Sequence, residues 1–412
     1  MLFVRLNADR NNKLIRRGKG CIVLFLPFAV HKFTKDSTTM AGIYIHIPFC
    51  RKACHYCNFH FSTSVKQTGD MVNAICKEAE LRCHYINEPV TTIYFGGGTP
   101  SLLESADLQL QLEKLKNFFK VSEDAETTLE ANPDDISEDK LTAWKAIGIN
   151  RLSIGVQSFF DEDLQWMNRA HNAMQALQSI RLAQKTGFHN ITIDLIYGTP
   201  TLTDEKWKQN VENAFELNIP HLSCYALTVE PKTALEKMIA THKVAAVDPE
   251  KQGRQFELLM EWTNDLGYEH YEISNFAKQG FRSKHNSSYW QGKSYLGLGP
   301  SAHSFNGNSR QWNIANNVLY LESIAQNIVP AEVEALTTTQ QLNEYIMTSL
   351  RTAEGLRLTI VMDKWGQDKV DGIAKAAKKY IDQGKMLCEN DQLMLTRDGK
   401  LFADGIAAGL FF

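Results

Sequence analysis

The chain has no apolar run long enough to cross a bilayer. The stretch Cys21–Val30 is ten residues with Pro27 inside it, where a spanning helix needs about 20. Net charge is also scarce. The 44 Lys and Arg against 47 Asp and Glu leave −3, which argues against charge-driven binding of nucleic acid. A disulfide framework is missing. Of eight cysteines only Cys50, Cys54 and Cys57 cluster, and Cys21, Cys76, Cys83, Cys224 and Cys388 are scattered as single apolar fillers. That usage fits a reducing compartment, so we expect a cytoplasmic protein. Internal repeats and low-complexity tracts are absent too. What is present is bulk: 412 residues, 43% hydrophobic and 10% aromatic, enough for a large barrel with a smaller appendage.

The first 39 residues read as foreign to the rest. Six Lys and Arg between Arg5 and Lys19 precede the apolar stretch, the order of a signal peptide, but no A-x-A cleavage site follows. Met40 directly precedes the first strand. We expect residues 1–39 to be a misassigned extension or a disordered tail, with a targeting peptide as the alternative. From Ala41 onward, strand-like runs at 43–46, 92–95, 127–131, 151–155, 191–196 and 221–226 alternate with helix-length segments. Six such alternations predict an α/β fold with a parallel sheet curled into a partial barrel. We expect the barrel over 40–275 and a connecting region with an aromatic, Ser- and Asn-rich loop over 276–330. Over 331–412 we expect a winged-helix-like module, its hairpin turning at Arg397-Asp-Gly399.

Chemistry concentrates at the predicted carboxyl ends of the strands, where parallel barrels carry their sites. Cys50, Cys54 and Cys57 form C-x3-C-x2-C just after the first strand. Three thiolates can hold a four-iron cluster with one iron left open, or a zinc ion with His55 or His60 as fourth ligand. Phe95-Gly-Gly-Gly-Thr-Pro100 ends the second strand, where glycines let a ligand approach the main chain. Glu130 ends the third and serves either a ligand or a local cap. Gln157, Arg169 and His171 follow, and Asp194 sits inside an apolar strand, which requires a ribose hydroxyl, Arg169 or another partner. His285-Asn-Ser-Ser-Tyr-Trp290 offers an imidazole for a haem iron, or packs as an aromatic segment closing the barrel.

In order, these motifs resemble the radical S-adenosylmethionine (SAM) superfamily. Within it they resemble the branch holding the oxygen-independent coproporphyrinogen III dehydrogenases and the HemW-type haem chaperones. The resemblance runs from Met40 to Phe412. It implies a partial (β/α)6 TIM-like barrel, a [4Fe-4S] cluster on the three cysteines, and SAM on the open iron. It also implies SAM contacts from Tyr44, Tyr56, Gly97, Gly98, Thr99, Glu130, Gln157, Arg169, Asp194 and Ala226. Three features side with the chaperones. Phe59 stands where the dehydrogenases carry a further cysteine, residues 1–39 do not match their active-site-covering segment, and the H-N-x-x-Y-W motif at 285–290 typifies HemW. The chaperone reading implies haem bound by His285, with His303 as the rival ligand, and delivery to an acceptor protein in solution or at a membrane. The Gly198-Thr-Pro-Thr-Leu-Thr203 loop departs from the Pro-Gly-Gln wording of the relatives. The alternative function is the dehydrogenase itself. A nucleic-acid-binding regulator is weaker, because the module's basic cluster, Lys375, Lys378 and Lys379, is small.

Overall fold

A computed structural model describes residues 40–412, so the expectations for 1–39 lie outside the described residues. Six strands, β1 (Ala41–Ile47), β2 (Val90–Gly97), β3 (Val121–Ala131), β4 (Arg151–Gln157), β5 (Ile191–Tyr197) and β6 (His221–Ala226), lie side by side and parallel in chain order. The crossovers carry helices α1 (Thr68–Leu81), α2 (Ser105–Phe118), α3 (Glu138–Ala146), α4 (Asp161–Trp166), α5 (Ala173–Lys185) and α6 (Asp204–Glu216). Helices α7 (Ala234–Ala240) and α8 (Pro249–Asp265) follow β6.

Alternation along each strand explains both layers. Ile43, Ile45 and Ile47 of β1, Ile93 and Phe95 of β2, Leu152, Ile154 and Val156 of β4, and Ile191, Ile193 and Leu195 of β5 share one core with Leu108, Trp144, Ile180 and Trp207 from the helices. The intervening residues point into the barrel and are polar: Tyr44 and His46, Thr92 and Tyr94, Glu126 and Glu130, Arg151 and Ser153, Thr192 and Asp194, His221 and Ser223. A barrel core is usually filled by branched aliphatics. This one is built around hydrogen-bonding groups.

The sheet does not close. Its order runs β12-β11-β10-β9-β1-β2-β3-β4-β5-β6-β8-β7, the added strands being β7 (Glu269–Glu272), β8 (Asn275–Ala277), β9 (Tyr295–Leu298), β10 (His303–Phe305), β11 (Ser309–Asn313) and β12 (Ala331–Ala335). The stretch expected to be a loop therefore contributes short strands to the sheet, with a helix, α9 (Lys284–Trp290), inside it. Strand β9 pairs in parallel with β1. A buried carboxylate locks this extension in place. Glu78 of α1 accepts hydrogen bonds from Arg82 Nη1 (3.1 Å), Gly299 N (2.8 Å), Asn313 Nδ2 (2.7 Å) and the Tyr320 hydroxyl (2.6 Å). Tyr320 lies on α10 (Asn317–Ala325).

Because β12 completes the main sheet, the small module begins only at α11 (Thr338–Leu350), not at 331. It continues through β13 (Leu356–Arg357), α12 (Leu358–Trp365), α13 (Gln367–Asp382), β14 (Met386–Glu389) and β15 (Gln392–Leu395), the element order of a winged helix around its own core. The hairpin turn is not at Arg397-Asp-Gly399. It falls at Asn390-Asp391, whose φ angles of 50° and 61° are the left-handed pair of a two-residue hairpin. Thr396 instead caps a helical turn at Arg397–Lys400, its hydroxyl accepting the Gly399 N–H.

Candidate functional site: a cysteine loop above a polar barrel

The loop after β1 is pinned on both sides. Gly98 N–H donates to the Ile47 carbonyl (2.8 Å), Thr99 N–H to Phe49 (2.7 Å), Ser62 N–H to Pro48 (2.8 Å) and Cys50 N–H to Ser62 (3.0 Å). The three predicted thiols stand together here and are half-buried. Burial, and each thiol's neighbours, push Cys50 up and Cys57 up to about 12. A thiolate at this spot therefore needs a cation. Arg169 supplies one: its Nη1 donates to Cys54 Sγ at 3.3 Å, and its Nη2 is fixed by Asn132 Oδ1 (2.7 Å) and the Gly155 carbonyl (2.9 Å). The buried Nε of Arg169 has no hydrogen-bond partner among the described residues. The thiols feel one another, yet no three His, Cys, Asp or Glu side chains among the described residues converge on a single metal ion. His55 Nδ1 is engaged by the Trp166 carbonyl (2.9 Å) and His60 Nε2 by Asn317 (2.7 Å). The loop thus brings three thiols and an arginine to one end of the barrel, the side chains from which a cluster site would have to be built.

The glycine run has two separate jobs. Gly97 has φ +107°, and a Cβ on it would lie 2.5 Å from the His46 ring; on Gly98 it would lie 2.5 Å from the Phe49 carbonyl oxygen. Both glycines are needed for the cysteine loop to pack, whatever binds there. Gly96, at the end of the second strand, faces the interior. A Cβ there would meet the Tyr94 ring at 2.9 Å and Tyr44 and Glu130 Oε1 at 3.0 Å. Glu130 is neither a helix cap nor an ion-pair partner. It accepts the Tyr94 hydroxyl at 2.8 Å and the Gly97 N–H at 3.2 Å, and burial raises its pKa. Asp194 lies across the same interior, pushed up to about 7 by burial and then by Glu130.

Tyr44, Gly97, Glu130 and Asp194 thus share the barrel interior, while Tyr56, Arg169 and the cysteines form its roof. Burial raises the Tyr56 pKa, Arg169 opposing. Thr99 joins the roof, its hydroxyl 3.5 Å from Cys50 Sγ. Gln157 is buried at the end of β4 with φ +66°, a left-handed conformation that ordinary residues rarely take. Ala226 ends β6 beside Tyr197. His171 is not in this group; it is buried and bonds the Val156 carbonyl at 3.0 Å. His46 was missed. Its Nε2 donates to the His60 carbonyl (2.9 Å), so Nδ1 must accept the Tyr44 hydroxyl (3.2 Å), and burial takes its pKa down to about 4. A histidine in a strand gives no sequence signal of such a role.

His285 occupies the opposite end of the barrel. Helix α9 plugs the amino ends of the strands, with Glu126 accepting the N–H groups of Lys284 (3.2 Å) and His285 (3.1 Å). The imidazole is 1% exposed. Nδ1 is hydrogen-bonded to Thr92 Oγ1 and Nε2 to the Tyr289 hydroxyl, both at 2.8 Å. Burial lowers its pKa to about 3. Of the two readings of this motif, the aromatic segment closing the barrel is the one the packing follows. His285 can meet a haem iron only if α9 leaves its seat. Trp290 points the other way, under the Arg351 guanidinium of the C-terminal module (5.1 Å). His221 completes this floor between Thr192 (3.0 Å) and Tyr271 (2.7 Å). His303, by contrast, is exposed on β10 with its ring 6.3 Å from that of Trp312.

Comparison with known proteins shows what family of folds carries this site. The model of the radical SAM superfamily matches residues 44–238. A protein of Bacillus subtilis (strain 168) named heme chaperone HemW is 33% identical over 89% of this chain and 98% of its own length. The mitochondrial radical S-adenosyl methionine domain-containing protein 1 of Bos taurus is 31% identical over 90% of this chain and 87% of its own length. Among solved structures, coproporphyrinogen III oxidase (HemN) from Escherichia coli, a radical SAM enzyme, superposes with a TM-score of 0.78 over 90% of each chain at 24% identity, a likeness of fold.

Proposed function

The chain belongs to the HemW family of radical SAM proteins, and from that premise we propose that it is a haem chaperone. It binds one [4Fe-4S] cluster through Cys50, Cys54 and Cys57, SAM beside that cluster, and haem, which it hands to an acceptor protein. The observation that carries the cofactor part is the cysteine loop with Arg169 set against Cys54 Sγ. When bound, the cluster supplies an iron open to the amino and carboxylate groups of SAM. Arg169, its guanidinium fixed by Asn132 and the Gly155 carbonyl, orients the loop through Cys54 Sγ. Glu130, already holding the Gly97 N–H, has lone pairs left to accept ligand hydroxyl or ammonium protons. Gly96 keeps the space beside it open. Asp194 offers a second carboxyl from across the barrel.

The chaperone part rests on the relatives' names and on Phe59, exposed where a further cysteine would stand in the dehydrogenases. For the haem iron, His303 beside Trp312 is the more exposed of the two candidate imidazoles, and His285 is reached only after α9 is displaced. The deciding experiment incubates anaerobically reconstituted protein, side by side, with haem and with coproporphyrinogen III plus SAM and a strong reductant. A haem absorption band that persists through gel filtration, without vinyl product, is expected. Vinyl product would overturn the proposal in favour of the dehydrogenase.

A further inference from the structure

The H-N-x-x-Y-W helix sits far from the cysteines, yet it touches the SAM-side carboxylate through a single residue. The His285 ring lies under Tyr94, ring centroids 5.0 Å apart and planes 23° from parallel. The Tyr94 hydroxyl donates to Glu130 Oε1 at 2.8 Å, and the other oxygen of that carboxylate holds the Gly97 N–H. We infer that His285 is a positioning residue for Glu130, acting through the Tyr94 ring.

The arrangement is built for it. The imidazole is clamped edge-on by Thr92 and Tyr289, so it cannot swing away from the phenol. Tyr289 is held in turn, its ring edge-to-face with Tyr295 (4.6 Å). Gly42 leaves the slot into which the ring slides; a Cβ there would be 3.3 Å from the imidazole and 2.8 Å from Thr92 Oγ1. Tyr44 stacks beside Tyr94 on β1, centroids 6.1 Å apart. With the floor ring below it and Tyr44 alongside, Tyr94 has little freedom to move its hydroxyl. A hydrogen-bond donor that is pre-set toward a carboxylate lowers the cost of ordering it when a ligand arrives.

The inference rests on the reading of Glu130 as a SAM-binding carboxylate, and the test separates the two. SAM is titrated calorimetrically into anaerobically reconstituted variants whose iron content and circular dichroism match the parent. Glu130→Gln should weaken SAM binding strongly, and His285→Ala and Tyr94→Phe each about tenfold, the scale of one hydrogen bond to a charged group. His285→Ala added to Tyr94→Phe should weaken it by no more than about twofold further, because the hydroxyl that the imidazole positions is already gone. His285→Phe, which keeps a flat ring but no polar edge, should recover most of the loss. His285→Gln, which keeps hydrogen bonding without the stack, should not. Parent-like SAM affinity in His285→Ala beside a weakened Glu130→Gln overturns the positioning role alone. Parent-like affinity in Glu130→Gln overturns the carboxylate reading and the inference with it. If His285→Ala does not fold, His285→Phe and Tyr94→Phe carry the same decision: loss in the first as large as in the second sinks the stacking argument.

Discussion

Adjacent glycines in one motif should fail in different ways when each is changed to alanine. Gly97 has φ +107° and its added Cβ would fall 2.5 Å from the His46 ring. The left-handed backbone costs about 1–2 kcal/mol for an L side chain, and forcing the ring aside adds about 1–3 kcal/mol. Together that is about 2–5 kcal/mol. Unfolding entropy near 2.1 cal/mol/K per residue gives about 0.8 kcal/mol/K for the roughly 370 described residues, so Tm should fall by about 3–6 °C. Gly96 has no such backbone conflict. Its Cβ would press on Tyr94, Tyr44 and Glu130 at 2.9–3.0 Å, and shifts of a few tenths of an ångström relieve this at about 1–2 kcal/mol. Those same shifts move Glu130, the carboxylate we propose for SAM. Gly96→Ala should therefore keep a Tm within about 2 °C of the parent while weakening SAM binding at least about tenfold. Scanning calorimetry and SAM titration of the reconstituted variants check both halves. Parent-like SAM affinity in Gly96→Ala would refute the use of the interior beside Glu130, and a parent-like Tm in Gly97→Ala would refute the packing account.

Replacing Cys50, Cys54 or Cys57 by alanine should abolish cluster reconstitution, measured by iron count and visible absorption, whereas Cys388→Ala, on the exposed face of β14, should not. Asp194 has its folded pKa raised to about 7 from an ordinary 3.8. A raised acid favours the fold while both states are protonated, and that advantage is lost as pH rises through the folded value. The Tm gain of Asp194→Asn over the parent should thus be near zero below about pH 4, grow through neutrality, and level off above about pH 8; a pH-independent gain would contradict the burial of this carboxyl. His303→Ala should shift the absorption band of added haem, and His285→Ala should leave it unshifted while α9 stays seated; the reverse pattern would show that the helix is displaced when haem binds.

Much of the barrel was readable because it rests on local rules. The alternation Ile43, Ile45, Ile47 against Tyr44 and His46 shows which face meets the helices, and the C-x3-C-x2-C spacing needs no partner elsewhere to declare itself. The floor was not readable. Thr92 and His285 lie 193 positions apart, and nothing in either neighbourhood names the other. The same holds for Glu78, whose donors come from the end of its own helix and from three positions more than 200 residues on. Which of the three glycines at 96–98 faces the interior was not readable, because only the direction of an absent Cβ tells them apart. The hairpin was misplaced because Arg-Asp-Gly and Asn-Asp are both good turn sequences, and the Thr396 cap decides between them only in three dimensions.

The pairing of β9 with β1 sets a timetable for the chain during its synthesis. Strand β1 begins at Ala41 and its outer neighbour at Tyr295. At about 5–20 residues per second, the roughly 250 residues between them take on the order of 10–50 s to emerge. Through that interval β1 can pair with β2, but its other edge, flanked by Ile43 and Ile45, stays open to any strand that passes. The plug that seals the barrel floor, at 284–290, leaves the ribosome only just before β9. Nascent chains stalled short of residue 295 should therefore be bound by general folding factors and readily cut by protease, and those released past residue 335 should not.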